Sequence, residues 1–200
     1  MHLTIRNMYK LKIIGATVRP GRQGPLIIEW VATQAEAHGA FQVEVLDLQT
    51  LNLPLMDEPA HPALRQYTHA HTKQWSAKIE EADAFIFVTA EYNFSYPAPL
   101  QNALEYLVHE WGYKAAGIVS YGGVSAGTRA WNTLKSDLPS YRVVPLVEAV
   151  NIPFFTHFIE DGQFVPNEVT TAAMVTVLQE LARWTKALLA LRQPDLQTAE

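Results

Sequence analysis

Short apolar runs alternate along this chain with longer stretches whose apolar residues recur every three or four positions. Residues 11–14, mostly apolar and partly β-branched, read as a short buried strand. A loop containing Gly15, Gly21 and Gly24 breaks that run. Ile27, Trp30, Val31 and Ala35 then fall at helical spacing over 26–38, with Gly39 where a helix stops. Phe41, Val43, Val45 and Leu46 make a second strand. The segment 48–64 carries Pro54, Pro59 and Pro62, which predicts a long loop without regular structure, unusual enough to suggest function.

A helix over 68–82 leads into 84–89, Ala-Phe-Ile-Phe-Val-Thr, an unbroken apolar run suited to a strand covered on both faces. Beyond Pro97 and Pro99, residues Leu100, Ala103, Leu104, Leu107, Val108 and Trp111 form the cleanest helical stripe. A strand over 115–119 follows, then a glycine-rich stretch 121–127, a helix near 128–138 and a strand near 143–147. An extended segment, 151–167, contains a turn at Asp161-Gly162. The last helix covers 168–191, with Val169, Ala172, Ala173, Val177, Leu181, Trp184 and Leu188 on one side. Five strands alternating with helices predict an α/β fold, a parallel sheet covered on both faces, as one domain over 1–200. In such a sheet ligands sit outside the carboxyl ends of the strands, where strand order reverses. The loops after strands one, three and four can meet there.

The composition narrows the function classes. Two hundred residues, 48% hydrophobic and 18% charged, suffice for one sizeable core. A net charge of −5 argues against nucleic acid as a partner. The absence of cysteine removes disulfides, thiol nucleophiles and thiolate metal sites, so redox chemistry needs a bound cofactor. No segment approaches a membrane span, and the first ten residues lack the apolar run of a signal peptide, so the expectation is a cytoplasmic protein without membrane contact. His61, His69 and His71 cluster near the proline-rich loop, but no carboxylate stands at a convincing ligand spacing, and no metal is expected.

The candidate chemistry lies in three loops. The first offers Thr17, two cations, Arg19 and Arg22, and backbone amides leading into a helix, which together suit a phosphate. Its glycines match neither the dinucleotide fingerprint nor a P-loop, and the alternative is a tight turn with solvated arginines. The second, Glu91-Tyr92-Asn93-Phe94 onward to Pro99, has aromatics that could flank a flat ring or pack within the domain or on a partner subunit. The third, Ser120-Tyr121-Gly122-Gly123, lets backbone approach a ligand where any Cβ would clash. Residues 123–127 also match G-x-S-x-G, and Asp137 and His157 follow in triad order, so a Ser125 hydrolase is a competing reading. It leaves the first two loops without a role.

Taken together, Ala16-Thr17-Val18-Arg19-Pro20-Gly21-Arg22, Ala90-Glu91-Tyr92-Asn93 with Ser95-Tyr96-Pro97, and Tyr121-Gly122-Gly123 resemble the motifs of the NADPH-dependent FMN reductase family, in order and over nearly the whole chain. Ala16, Thr17 and Ala90 depart from that family's usual Gly, Ser and Pro. The resemblance implies a flavodoxin-like three-layer sandwich with a five-stranded parallel sheet in order 2-1-3-4-5. It implies that Thr17, Arg19, Arg22, Gln23 and Gly24 hold the FMN phosphate, and that Glu91, Tyr92, Asn93, Phe94, Ser120, Tyr121, Gly122 and Gly123 contact the ring. It further implies NADPH or NADH as donor, a quinone, azo compound or free flavin as acceptor, no obligatory protein acid or base, and a homodimer or homotetramer. Tyr96, Trp111 and Tyr113 are expected to line the acceptor pocket or a subunit contact. A flavodoxin-type electron carrier and a flavin-binding sensor without turnover are the alternatives; the arginines in the first loop favour the reductase.

Overall fold

The computed structural model describes residues 8–192. Its strands β1 (Tyr9–Gly15), β2 (Phe41–Asp47), β3 (Ala84–Ala90), β4 (Ala115–Tyr121) and β5 (Val144–Ile152) form one parallel sheet in the order β2-β1-β3-β4-β5, as expected. Every residue of β3 and β4 is buried, which is why these two runs carry no polar alternation. Side chains leave the sheet alternately. Leu11, Ile13, Ile86, Val88 and Val119 pack under α1 (Gly24–His38) and α6 (Glu168–Leu188). Ile14, Phe85, Phe87, Ala116 and Ile118 pack under α3 (Ala70–Glu80), α4 (Ala98–Glu105) and α5 (Thr128–Asp137). Two apolar cores thus hold a three-layer sandwich.

Several expectations are corrected or refined. The segment 48–64 is not without regular structure: α2 (Leu48–Leu51) starts on an Asp47 cap that accepts from the Gln49 N–H, and a 3-10 turn begins at Pro62. The stripe of apolar residues after Pro99 outlasts its helix. α4 ends at Glu105, and Leu107 and Trp111 are buried from an irregular segment, the Trp111 indole N–H donating to the Leu104 carbonyl at 3.1 Å. β5 extends to Ile152, past the expected end at 147, and carries two extra residues between the partners of Ala116 and Ile118. The extended stretch beyond it contains a two-stranded hairpin, β6 (Ile159–Glu160) and β7 (Gln163–Phe164), turning at Asp161 and Gly162, both at positive φ. The buried face of α6 is also turned from the expected one: Thr170, Met174 and Thr185 face inward while Val169 and Trp184 are exposed.

The carboxyl ends of β1, β3 and β4 lie at one edge, with Gly15 registered on Val88, and Ala90 on Tyr121. The strand order reverses between β1 and β3. The site can therefore be built from the loops that leave those three ends.

Candidate functional site at the carboxyl edge of the sheet

The first loop leaves β1 at Gly15 and enters α1 at Gly24. Its turn is closed by the Arg22 N–H donating to the Arg19 carbonyl at 3.1 Å, with Pro20 and then Gly21 at φ 74 between them. Gln23 occupies the N-cap of α1 without capping it through its side chain; Pro25 has no N–H and the Leu26 N–H donates to the Gln23 carbonyl at 3.2 Å, so the Gly24 amide is the first-turn donor left toward the loop. Gly24 is buried where a Cβ would lie 2.7 Å from both the Thr17 Oγ1 and the Tyr121 Oη. Those two hydroxyls are 3.5 Å apart and join the first loop to the end of β4. Burial pushes the Tyr121 phenol up to about 12, against a smaller opposing effect of Thr17, so it keeps its proton.

The two arginines part company. Arg19 is exposed and, among the described residues, makes no ion pair. Arg22 turns back into the domain, donating to Asp47 at 2.7 and 2.5 Å and to the Thr17 carbonyl at 2.6 Å. This fork ties the loop to the end of β2 and supports its shape from behind. The Asp47 hydrogen bond holds the guanidinium proton more firmly than usual. Burial tends to raise the Asp47 carboxyl, but Arg22 and the Gln49 amide carry it below the ordinary range. Asp47 is a contributor that composition did not disclose, since it reads as the polar end of a strand.

The second loop begins with the Glu91 N–H still on the β4 ladder, donating to the Tyr121 carbonyl at 3.1 Å. It then folds into a tight turn. Tyr92 and Ser95 exchange N–H to carbonyl hydrogen bonds of 2.8 and 3.0 Å across Asn93 at φ 47 and Phe94 at φ 70. Two consecutive left-handed residues match a primed hairpin turn, a geometry usually given to Asn-Gly. Placing a phenylalanine there costs about 1–2 kcal/mol of backbone strain. Phe94 is nonetheless 69% exposed. Arg129 of α5 lies against its ring at 4.2 Å and also donates to Glu91, through its backbone N–H at 3.1 Å and its Nη1 at 2.8 Å. Burial raises the Glu91 carboxyl, and the Arg129 side chain, the Ser125 hydroxyl and the Arg129 amide outweigh that and hold it below the ordinary range.

The third loop is a platform. Ser120 is fully buried, donating to the Ala126 carbonyl at 3.0 Å and accepting from Asn151 Nδ2 at 2.6 Å. Gly122 donates to Ile152, and the Gly122 and Gly123 carbonyls accept from Phe155 and Phe154, so the platform rests on the end of β5. Phe155 also packs edge-on against Tyr121 at 5.0 Å. At Gly122 a Cβ would come 3.1 Å from the Gly127 nitrogen, whereas at Gly123 it would meet nothing within 4 Å. The domain's own packing explains the first glycine. It makes no demand on the second, where the backbone faces open space.

The structure therefore brings together Thr17, Gln23, Gly24, Glu91, Tyr92, Asn93, Phe94, Ser120, Tyr121, Gly122 and Gly123 at one edge, with Arg19 on the outer side of the first loop and Arg22 behind it. Two expectations are overturned, Trp111 as a pocket or subunit-contact residue and the Ser125 triad, while Tyr113 lies away from this edge and Tyr96 is tied to its own domain. Trp111 is sealed in the core with Phe85 and Trp75, and Tyr113 lies just before β4, at the opposite edge, where its N–H donates to Arg142. Tyr96 donates to Asp137 at 2.8 Å, within its own domain. The hydrolase reading loses its triad: Asp137 is engaged by Tyr96, His157 stacks on Phe154, and Ser125 lies toward Glu91. The positive φ of that turn falls on Ala126 rather than on Ser125. Among the described residues no group of three His, Cys, Asp or Glu side chains could hold a metal ion, and no helix is long and apolar enough to cross a membrane.

Residues 9–157 match the family model described as NADPH-dependent FMN reductase. An NAD(P)H-dependent FMN reductase of Schizosaccharomyces pombe is 41% identical over 148 residues, covering 72% of this chain and 74% of its own. An NADPH:quinone oxidoreductase of Arabidopsis thaliana is 31% identical over 164 residues, covering 76% and 79%. Among solved structures, the flavoenzyme NAD(P)H:(acceptor) oxidoreductase FerB of Paracoccus denitrificans superposes with a TM-score of 0.73 at 21% identity, covering 90% of this chain and 98% of that one.

Proposed function

Because the chain belongs to the NADPH-dependent FMN reductase family, and so is an oxidoreductase of the FMN- and NAD(P)H-dependent kind, we propose that it passes two electrons from NAD(P)H through FMN to a quinone, an azo compound or a free flavin. The observation that carries this reading is the convergence of an uncapped helix N-terminus, the Thr17 and Tyr121 hydroxyls and the open face at Gly123 on one sheet edge.

In this reading the first loop takes the FMN phosphate. Thr17 Oγ1 and the amides at Gln23 and Gly24 serve as donors, Arg19 supplies a charge-assisted contact from solvent, and Arg22 keeps the loop in shape while adding positive charge. The second loop and the platform would take the ring: the turn from Glu91 to Phe94 would set one edge, and Ser120, Tyr121, Gly122 and Gly123 would form the surface beside it, bare of side chains at the two glycines. FMN supplies the two-electron chemistry, at its N5. The chain's own residues bind and orient; none is required as an acid or base. We further infer that it works in the cytoplasm as a single FMN-binding domain assembled into a homodimer or homotetramer, with no nucleic-acid or membrane partner.

The test is an anaerobic visible spectrum of the protein reconstituted with FMN, before and after NADPH. Bound flavin that bleaches in one two-electron step supports the reductase. Flavin that binds but is not reduced by NADPH would hand the site to a carrier or sensor, and failure to bind flavin would end the proposal.

A further inference from the structure

Arg129 is the side chain at this edge whose contacts the proposed function does not use. It starts on the second residue of α5 and reaches across to the second loop, 38 residues earlier in the chain. Three contacts converge on that loop: its backbone N–H and its Nη1 take one Glu91 carboxylate oxygen each, and its guanidinium faces the Phe94 ring at 4.2 Å. The Glu91 side chain is only 9% exposed and the Arg129 side chain 46%, so the grip is charge-assisted and open to solvent on the arginine side. Phe94, by contrast, stacks on no aromatic ring among the described residues and stands mostly in solvent at a backbone angle that disfavours it. An exposed aromatic in a left-handed conformation needs an external reason to stay there. Arg129 supplies it by clamping the first and fourth residues of the run Glu91-Tyr92-Asn93-Phe94 to one rigid helix end.

We propose that Arg129 is a positioning residue that locks the β3–α4 turn into the shape that receives the flavin ring. This rests on the reading of that turn as ring-binding, and it predicts a separation between ring and phosphate. Loss of Arg129 loosens a surface facing the ring and leaves the phosphate loop, which it does not touch, as it was. Loss of Arg19 does the reverse.

The experiment compares FMN with riboflavin, which has the same ring without the phosphate, by fluorescence titration of the wild type, Arg129→Ala, Arg129→Lys and Arg19→Ala. Visible circular dichroism of the bound flavin reports its asymmetric surroundings. The expected result is that Arg129→Ala weakens both ligands by the same factor, about tenfold, and alters the dichroism of whatever flavin remains bound. Arg129→Lys, which can still pair with Glu91 but has no flat face for Phe94, should fall between that variant and the wild type. Arg19→Ala should weaken FMN alone.

Affinity and dichroism unchanged in Arg129→Ala would overturn the proposal, as would a loss confined to FMN, which would make Arg129 a phosphate ligand. If Arg129→Ala does not fold, Arg129→Met takes its place: it keeps the length of the side chain and the backbone N–H to Glu91 while removing the guanidinium from both Glu91 and Phe94, and wild-type affinity and dichroism there would also overturn the proposal. A wild type that binds neither ligand would defeat the ring-binding reading itself, and the proposal with it.

Discussion

Gly123 separates what the fold needs from what a ligand needs. A Cβ added there meets no atom within 4 Å, and its backbone is not in the positive-φ region. Replacing it with alanine should therefore remove freedom from the unfolded chain without straining the folded one, a gain of about 0.4–1 kcal/mol. For a chain of this size that raises the melting temperature of the ligand-free protein by about 1–4 °C. The effect on FMN has the opposite sign. If the ring rests on the platform, the new methyl occupies its contact distance, and overpacking of this kind costs about 1–3 kcal/mol, or about fivefold to over a hundredfold in Kd.

Two neighbours serve as controls. Gly122→Ala brings a Cβ to 3.1 Å from the Gly127 nitrogen, and Gly127→Ala places one 2.7 Å from the Tyr121 nitrogen at φ 76, so both should melt lower than the wild type. The assay is thermal unfolding of the three ligand-free variants beside FMN fluorescence titration. A Gly123→Ala protein that is stable and binds FMN like the wild type refutes the placement of the ring on this platform. One that melts several degrees lower refutes the claim that the space is open.

Two other predictions follow from charge. Arg19→Ala should remove one charge-assisted hydrogen bond, about 1.5–3 kcal/mol, and so weaken FMN binding by about tenfold to over a hundredfold; unchanged affinity would take Arg19 out of the site. Glu58 accepts from the Thr68 N–H and hydroxyl at 2.7 and 2.8 Å and from the His69 N–H at 3.0 Å; burial raises its carboxyl, but these donors and Thr72 together outweigh it and pull it from 4.5 to about 2. The depressed value means a stabilisation that is complete above pH 4.5 and is lost as the pH falls to about 2. Glu58→Gln should accordingly melt below the wild type at pH 7, with the gap closing between pH 4.5 and 2. A gap that stays constant across that window would assign the effect to something other than ionisation.

The parts that were legible in the sequence are those where local pattern and tertiary role coincide. The run 84–89 is apolar because both of its faces are covered, and the three loops are marked by glycine, proline and arginine that only a turn or an anion would explain. The apolar stripe through Trp111 misled because spacing reports burial, and the chain buries Leu107 and Trp111 just as well from an irregular segment. The face of α6 turned out rotated because threonines at 170 and 185 could go inside, the latter by donating to the Leu181 carbonyl at 2.6 Å. The end of β5 was hidden by Glu148 and Asn151, polar residues tolerated in a strand that has a neighbour on one side only. At the site, the identities of the loop residues were readable, but the partners of Arg22 and Glu91 were not. Asp47 and Arg129 come from elements 25 and 38 residues away, and only the closed sheet brings them near.

The irregularity in β5 has a consequence beyond its own length. β5 is an outermost strand, and outermost strands expose a ready row of amides and carbonyls on which another chain can polymerise. Here that row is spoiled twice. Pro145 offers no amide, and the two surplus residues before Ala149 break the spacing that an incoming strand would have to match. The β5 edge is therefore closed to a further strand, and a copy of this protein that approaches on that side should meet it through helices and loops rather than by extending the sheet.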